Sequence, residues 1–228
     1  MSIGMPWADL SECFAFLGNT LLSPMTKTKD VGLDPTFWEE FPDFGSKDVR
    51  AAVRACQRGA FRTIEKAKIS GRDPVVECSF EHARLFVGPP RPAVWPWETL
   101  YRGECTTAGF GEPTFQMRVL LRDAGLQLSN ENRQYEDHLG IELLYLSELC
   151  RRNVQASASV ESIDANMGNH KALRAFLEEH PLAWIDSFEA SVCKACPDGY
   201  FAGIATCVRA LLRWLEKALR VVDERCCF

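Results

Sequence analysis

The apolar residues of this chain recur at steps of three and four, and this spacing restricts the fold to packed α-helices. The first row is Trp7, Leu10, Phe14, Leu17 and Leu21, and the last runs through positions 204, 208, 211, 215, 219 and 222. Residues three and four apart share one face of a helix, so each row forms an apolar stripe that has to be buried. The sequence shows no alternating segment of strand length and no repeat period. The pattern predicts one all-α, globular multi-helix domain over residues 1–228.

Turn residues and caps divide the chain into helices. Asp34 and Asp73 each precede a proline, which is typical of a helix start, because the carboxylate caps free N–H groups and proline fits the first turn. We expect Gly59 to interrupt or end the third helix, Gly88 to stop the fourth, and the polar stretch 155–162 to form a loop. Helices are therefore predicted at about 7–21, 35–41, 46–58, 74–87, 113–124, 135–152, 163–180, 181–192 and 200–222.

Net charge and hydropathy exclude several classes of protein. A formal charge of −5 argues against a nucleic-acid-binding surface. The chain has no run of about 18 apolar residues, so we expect no membrane span. Its first ten residues lack the basic and apolar regions of an export signal, and we therefore expect a cytoplasmic protein.

Ten cysteines raise the question of a disulfide or metal protein. Most stand singly in apolar, helix-like surroundings, where a free thiol acts as a small hydrophobic group. Cys193 and Cys196 are closely spaced but lack a suitable second pair, because Cys226 and Cys227 are adjacent. We expect reduced thiols and no metal or cofactor, with a cysteine-based metal or redox protein as the alternative.

The segment 80–101 starts as a helix, breaks at Gly88 and continues as a proline-rich loop. Four prolines between positions 89 and 96 stiffen the loop and lower the entropy that it loses on ordering. The loop carries three aromatic residues: Trp95, Trp97 and Tyr101. Rigid loops with aromatic rings and a carboxylate, here Glu98, commonly recognise a ligand. The same rings would serve equally to fill the core beneath a long connection.

The most compact polar group lies at residues 134–138, ahead of a strong helical face. Glu136 and Asp137 near a helix N-terminus are favoured by the helix dipole and can cap the helix. In a second interpretation, Asp137 and His138 face the tryptophan-bearing loop and accept a cationic ligand group. A third makes these two residues the acid–base pair of a small helical enzyme, which requires a deep polar pocket with a perturbed pKa.

Four motifs in series carry a resemblance to a known family. They are Glu-His-Ala-Arg-Leu-Phe-Val-Gly-Pro at 81–89, Trp-Pro-Trp-Glu-Thr-Leu-Tyr at 95–101, Glu-Asp-His-Leu-Gly-Ile-Glu-Leu at 136–143 and Phe-Leu-Glu-Glu-His-Pro-Leu-Ala-Trp at 176–184. In order and spacing the chain resembles the TorD/DmsD family of redox-enzyme (molybdoenzyme) maturation chaperones over roughly residues 75–190. The final helices fit the end of that family, whereas the first seventy residues resemble it only in being helical.

The resemblance implies a cytoplasmic, non-enzymatic chaperone of anaerobic respiration, either a monomer or a domain-swapped dimer. The partners it implies are the twin-arginine signal peptide and the catalytic subunit of a molybdenum-cofactor oxidoreductase, whose export is delayed until the cofactor is loaded. Binding in the family is associated with positions that correspond here to Leu85, Phe86, Gly88, Pro89, Trp97, Glu98, Tyr101, Asp137 and His138.

Two residues depart from the family pattern. His82 replaces an aromatic residue three positions before Leu85, and Tyr135 replaces the proline of the motif that contains Asp137 and His138. A twin-arginine signal presents two guanidinium groups followed by an apolar segment, so its complement is a groove with carboxylates at one end and apolar walls beyond. The sequence offers carboxylates at Glu98, Glu136 and Asp137, and walls at Leu85, Phe86, Trp95, Trp97 and Tyr101.

Overall fold

A computed structural model of the chain describes residues 5–88, 90–103, 110–128, 134–158 and 163–226. Within them, the α-helices α1 to α9 span Trp7–Leu22, Pro35–Glu40, Lys47–Ser70, Pro74–His82, Glu112–Asp123, Leu139–Ala158, Ile163–Glu179, Pro181–Ala195 and Tyr200–Cys226. In this described part, β-type pairing is limited to one bridge between Trp97 and His138, so the prediction of an all-α fold is confirmed. A single domain over 1–228 stays a prediction, since both ends of that range lie outside the described residues.

Helix α9 contacts five other helices: α3 most extensively, then α8, and to a smaller extent α7, α4 and α1. The other extensive pair is α1 with α6. Both pairs approach closely because a glycine faces the partner: a Cβ at Gly203 would lie 2.7 Å from the Cys56 Cα, and one at Gly18 would lie 2.8 Å from the Gly140 oxygen. Each large apolar side chain buried between these helices stabilises the fold by about 1.5–3 kcal/mol relative to an exposed one.

Helix α3 does not end at Gly59, contrary to the sequence-based expectation, but continues to Ser70. It stops at Gly71, which adopts the left-handed conformation with φ +67°. Gly59 serves a different purpose, because a Cβ there would lie 2.8 Å from the Gly199 oxygen and 2.9 Å from the Tyr200 Cα. The glycine thus lets the start of α9 approach α3.

Helix α6 also extends further than predicted, to Ala158 rather than 152. Asn153 and Ala156 are only 2% and 7% exposed, so packing continues the helix into a stretch whose polar composition suggested a loop. The rest of that predicted loop, 159–162, lies outside the described residues. In the described part of the chain, no helix is both long and apolar enough to cross a membrane.

Candidate functional site

The family-type motif at 81–89 forms the end of α4 and a single π-helical turn, Ala83–Val87. Leu85 and Phe86 are 0% and 3% exposed, and the Phe86 ring packs against Phe188 and Phe201. Gly88 follows with φ +88°, and a Cβ there would lie 2.4 Å from the Arg91 carbonyl carbon. The motif therefore anchors the tryptophan-bearing loop to the core. Pro89, also predicted as a site residue, lies outside the described residues.

His82 keeps the packing role of the aromatic residue that it replaces. Its ring lies edge-on to Phe86 and Phe201, with centroid distances of 5.4 and 5.5 Å. The Nε2 atom donates to the Leu21 carbonyl over 3.1 Å. Because burial lowers the pKa of His82, this side chain is a neutral part of the core.

Asp137 binds the tryptophan-bearing loop to α5. One carboxylate oxygen accepts hydrogen bonds from the Thr99 amide at 3.0 Å and the Thr99 hydroxyl at 2.6 Å. The other accepts from the Thr114 hydroxyl at 2.9 Å. The carboxylate is 0% exposed, and burial raises the pKa of Asp137 against the opposing effect of these hydrogen bonds. Asp137 thus caps the short 3₁₀ helix Glu98–Tyr101.

The side chain of His138 caps the N-terminus of α6, whereas the sequence analysis expected Glu136 or Asp137 to do so. The His138 Nδ1 accepts a hydrogen bond from the Gly140 amide at 2.9 Å, which places the proton of the neutral ring on Nε2. Burial lowers the pKa of His138 to about 3. Its backbone forms the bridge with Trp97, which aligns the two motifs side by side.

A layer of buried polar groups lies beneath this bridge. Glu98 is 0% exposed; one of its oxygens lies 2.9 Å from the His180 Nδ1 and the other 2.9 Å from the Arg102 Nε. Glu142, also 0% exposed, accepts a hydrogen bond from the Trp184 indole at 3.2 Å. Burial, and then the nearby charge of Glu98, raises the pKa of Glu142 well above its ordinary value. Glu142 is therefore held in its neutral, protonated form inside the protein.

Five aromatic side chains form a continuous row on the outside of this layer, which we call the aromatic surface: Trp95, Trp97, Tyr135, Phe110 and Phe115. Successive ring centroids are separated by 5.8, 6.3, 5.8 and 6.4 Å. All except the half-buried Trp97 are exposed. Sequence reasoning missed Phe110 and Phe115, and noted Tyr135 only as a departure from the family. The sequence pattern that could have identified them is an aromatic residue in an unusual place. Phe115 lies away from the apolar stripe of its helix, and Phe110 lies just before a helix start.

Tyr101 does not belong to the aromatic surface. Its ring packs inward against Trp184 and Phe188, at centroid distances of 5.1 and 6.4 Å. Burial raises the pKa of Tyr101 to about 12. Trp95 and Trp97 thus reach the surface, whereas Leu85, Phe86 and Tyr101 pack inward beneath the loop.

A cleft of about 370 Å³ adjoins the aromatic surface between α5 and the end of α7. Its walls are Phe115, Val119 and Leu120, and its polar lining is Glu112, Gln116, Glu179 and His180. We call it the α5–α7 cleft. Glu112 and Glu179 are acidic residues that reach solvent, in contrast to the buried Glu98 and Asp137. The third predicted carboxylate, Glu136, forms hydrogen bonds of 2.7 and 3.1 Å with Arg118, which lower the pKa of Glu136.

Seven cysteines have described side chains; all seven are free thiols, six of them buried and Cys193 partly exposed. In the core, Cys13 lies near Cys150 and Cys207, and Cys56 lies near Cys207. Among the described residues, no three His, Cys, Asp or Glu side chains lie close enough together to hold a metal ion. Cys105 and Cys227 lie outside the described residues, so reduced, metal-free thiols stay a prediction.

Comparison with known proteins defines the class. Residues 46–190, more than half of the chain, match the family model for the nitrate reductase delta subunit. Chaperone protein TorD of Photobacterium profundum is 27% identical over 166 residues, which cover 72% of this chain and 74% of the relative. Chaperone protein TorD of Vibrio cholerae serotype O1 is 26% identical over 184 residues, 78% of this chain and 73% of the relative. Chaperone protein TorD of Shewanella pealeana is 24% identical over 165 residues, 68% of each chain.

The chain belongs to this family, the TorD/DmsD family of redox-enzyme maturation chaperones, as its four motifs predicted. The relatives are named as chaperones, a non-enzymatic role, and the protein is a chaperone rather than an enzyme. The acid–base interpretation of Asp137 and His138 is therefore wrong. Its physical weakness is that both side chains are committed to internal hydrogen bonds and are 0% and 1% exposed.

Proposed function

We propose that this chaperone binds the twin-arginine signal peptide, the apo catalytic subunit, or both, of a molybdenum-cofactor oxidoreductase. It acts in the cytoplasm of cells that respire anaerobically, where it assists cofactor loading and delays export. The observation that carries the proposal is the continuity between the aromatic surface and the acid-lined α5–α7 cleft. Phe115 belongs to both, so one extended peptide can contact rings and carboxylates together.

The aromatic surface suits the apolar segment of a signal peptide. Contiguous exposed apolar side chains on a globular protein mark interaction sites, and aromatic rings contribute large contact areas with few rotatable bonds. Four of the five rings are between 38% and 49% exposed, so a bound peptide would remove much of their remaining area from water.

The α5–α7 cleft suits the two guanidinium groups. Glu112 and Glu179 reach solvent at the cleft. Because these side chains are exposed, each carboxylate can form two hydrogen bonds with an arginine without any rearrangement of the structure around it. A guanidinium stacked on Phe115 would add about 0.5–2 kcal/mol. His180, also part of the lining, connects the cleft to the buried Glu98.

The site residues expected from the family divide into two groups in this proposal. Trp97 contacts the peptide directly as part of the aromatic surface. The other described ones act as positioning residues that hold the loop and α6 in register: Leu85, Phe86, Gly88, Glu98, Tyr101, Asp137 and His138.

The experiment begins with co-purification from the native host under anaerobic growth and identification of the retained partner. The signal peptide of that partner is then titrated calorimetrically into the wild type and two alanine variants. Phe115→Ala removes a ring of the proposed site and should weaken binding by about 1–2 kcal/mol. Phe80→Ala removes an equally exposed ring on α4 and should leave the affinity unchanged. The two side chains are 49% and 55% exposed, so neither variant should melt much below the wild type.

Equal affinity of both variants would place the peptide elsewhere on the molecule. A wild-type protein that binds neither the signal peptide nor the catalytic subunit would contradict the proposed function itself.

A further inference from the structure

Helix α3 carries a charge opposite to that of the rest of the protein. It contains seven basic and two acidic residues, a net charge of +5, in a chain whose total is −5. The remainder of the chain is thus at −10. Six of the basic residues follow one another at steps of three and four, and we call this row the basic ridge: Lys47, Arg50, Arg54, Arg58, Arg62 and Lys66.

All six side chains of the basic ridge are exposed. Arg50 pairs with Asp43, and Arg62 lies 2.6 Å from Asp198. The other four have no carboxylate within ion-pair distance among the described residues. Since the opposite face of α3 packs against α2, α4 and α9, the ridge presents unneutralised charge outward from a rigid helix.

An exposed aromatic ring lies in the middle of the ridge. Phe61 is 57% exposed, and it borders a cleft of about 300 Å³ with Pro35, Gln57, Arg58 and Arg62. Arginine and aromatic residues around a small pocket are the side chains that dominate binding energy at protein interfaces. Charge and an apolar anchor point therefore coincide on α3.

We infer that the basic ridge and Phe61 form a second docking surface, for an acidic face on the folded, mature part of the catalytic subunit. This inference rests on the proposed function and assigns a different surface to a different part of the same client. Complementary charge on the two faces would steer their encounter, and an apolar side chain of the client would enter the cleft beside Phe61.

Other occupants fit the ridge less well. A twin-arginine signal is itself basic and is repelled by it. A nucleic acid would be repelled by the rest of the protein, which has a net charge of −10 outside α3. The sugar–phosphate backbone of a nucleic acid also offers no apolar side chain for the cleft beside Phe61. Among the described side chains, the exposed large apolar residues of α3 are Phe61 and Ile69, which is little for insertion into a membrane surface.

The test uses two probes: the synthetic signal peptide of the client, and its mature catalytic subunit without that peptide. Arg54→Glu/Arg58→Glu reverses two exposed ridge charges that form no ion pair with the described residues. Lys171→Glu/Lys217→Glu is the matched control, because it reverses two exposed charges on α7 and α9 with the same change in net charge. Arg54→Gln/Arg58→Gln removes the charge and keeps good helix-forming residues.

We expect the ridge reversal to weaken binding of the mature subunit at least about tenfold, mainly through slower association, with a smaller loss for the glutamine variant. The control should bind like the wild type, and every variant should bind the signal peptide with unchanged affinity. Undiminished binding of the mature subunit to the reversed variant, or no binding to the wild type, would overturn the inference while leaving signal-peptide binding intact. It would also be overturned if the reversal abolished self-association or binding to an oligonucleotide but not to the mature subunit.

Discussion

The carboxylate of Asp137 and the Thr99 residue are joined by two hydrogen bonds, 3.0 Å from the amide and 2.6 Å from the hydroxyl. The residues are 38 positions apart in the chain. Because Thr99 lies in the tryptophan-bearing loop and Asp137 precedes α6, this contact turns two family motifs into one structural unit. Asp137 is a helix cap, but it caps the helix of the neighbouring segment rather than its own.

Asp137→Asn should leave both folding and signal-peptide affinity nearly unchanged. The Asn oxygen can accept both Thr99 hydrogen bonds, and its amide can donate to the Thr114 hydroxyl. Asp137→Ala removes all three hydrogen bonds and leaves buried donors, so it should cost about 2–4 kcal/mol of stability and weaken peptide binding. Thermal melts and calorimetric titration of both variants provide the measurement. A loss of roughly 2–5 kcal/mol in binding by a folded Asp137→Asn protein would instead show direct contact with an arginine.

Glu142→Gln should become more stable relative to the wild type as the pH rises. Folded Glu142 retains its proton, whereas in the unfolded chain it is lost above the ordinary pKa of 4.5. The folded wild type therefore loses about 1.4 kcal/mol per pH unit from this residue until the folded pKa is reached. Glutamine avoids this loss, since its side-chain oxygen can accept the hydrogen bond from Trp184 and its amide does not titrate.

The measurement for Glu142 is urea unfolding of both proteins at several pH values between about 5 and 8. Comparison with the wild type cancels the opposing effect of His138, whose lowered pKa destabilises the folded state as the pH falls below 6.5. A difference in stability that is constant across the range would show that Glu142 is ionised in the folded protein.

Gly59→Ala should destabilise the protein by about 1–3 kcal/mol, although alanine is the better helix former by about 1 kcal/mol. The added Cβ would lie 2.8 Å from the Gly199 oxygen and 2.9 Å from the Tyr200 Cα, both backbone atoms. Ala51→Gly, at an exposed position of α3, is the control and should cost about 1 kcal/mol through helix propensity alone. Denaturant melts would contradict the packing argument if Gly59→Ala proved more stable than the wild type.

The native protein should contain no stoichiometric zinc, and its buried thiols should react with a thiol reagent only after unfolding. Burial raises the pKa of Cys150 to about 12 and that of Cys13 further, which suppresses the reactive, metal-binding thiolate. Metal analysis and a timed thiol assay check both statements. One equivalent of metal that survives dialysis, and whose removal unfolds the chain, would show the contrary.

Local patterns in the chain were enough to specify most of the helices and the family. Apolar spacing places Leu10 and Leu211 on buried faces because helix periodicity is a local property, and Asp34 and Asp73 cap the predicted helix starts. Four motifs in series identify the family because their order and spacing are features of the chain itself. The length of α3 could not be derived in this way. Glycine has a low helix propensity, which suggested a helix end at Gly59, but in the fold Gly59 lies inside α3 and makes room for the start of α9.

The direction in which each site residue faces depends on how the helices assemble. Glu98 and Asp137 are charged, so the sequence suggested ligand contacts. Inside the protein, however, Thr99 and Thr114 bind Asp137, and His180 and the nearby Arg102 bind Glu98. Phe115 is apolar, yet it remains exposed because α5 packs through another face, and Phe110, just before α5, is exposed as well. Burial is a property of the assembled helices, and a local pattern cannot specify which polar group finds its partner within the fold.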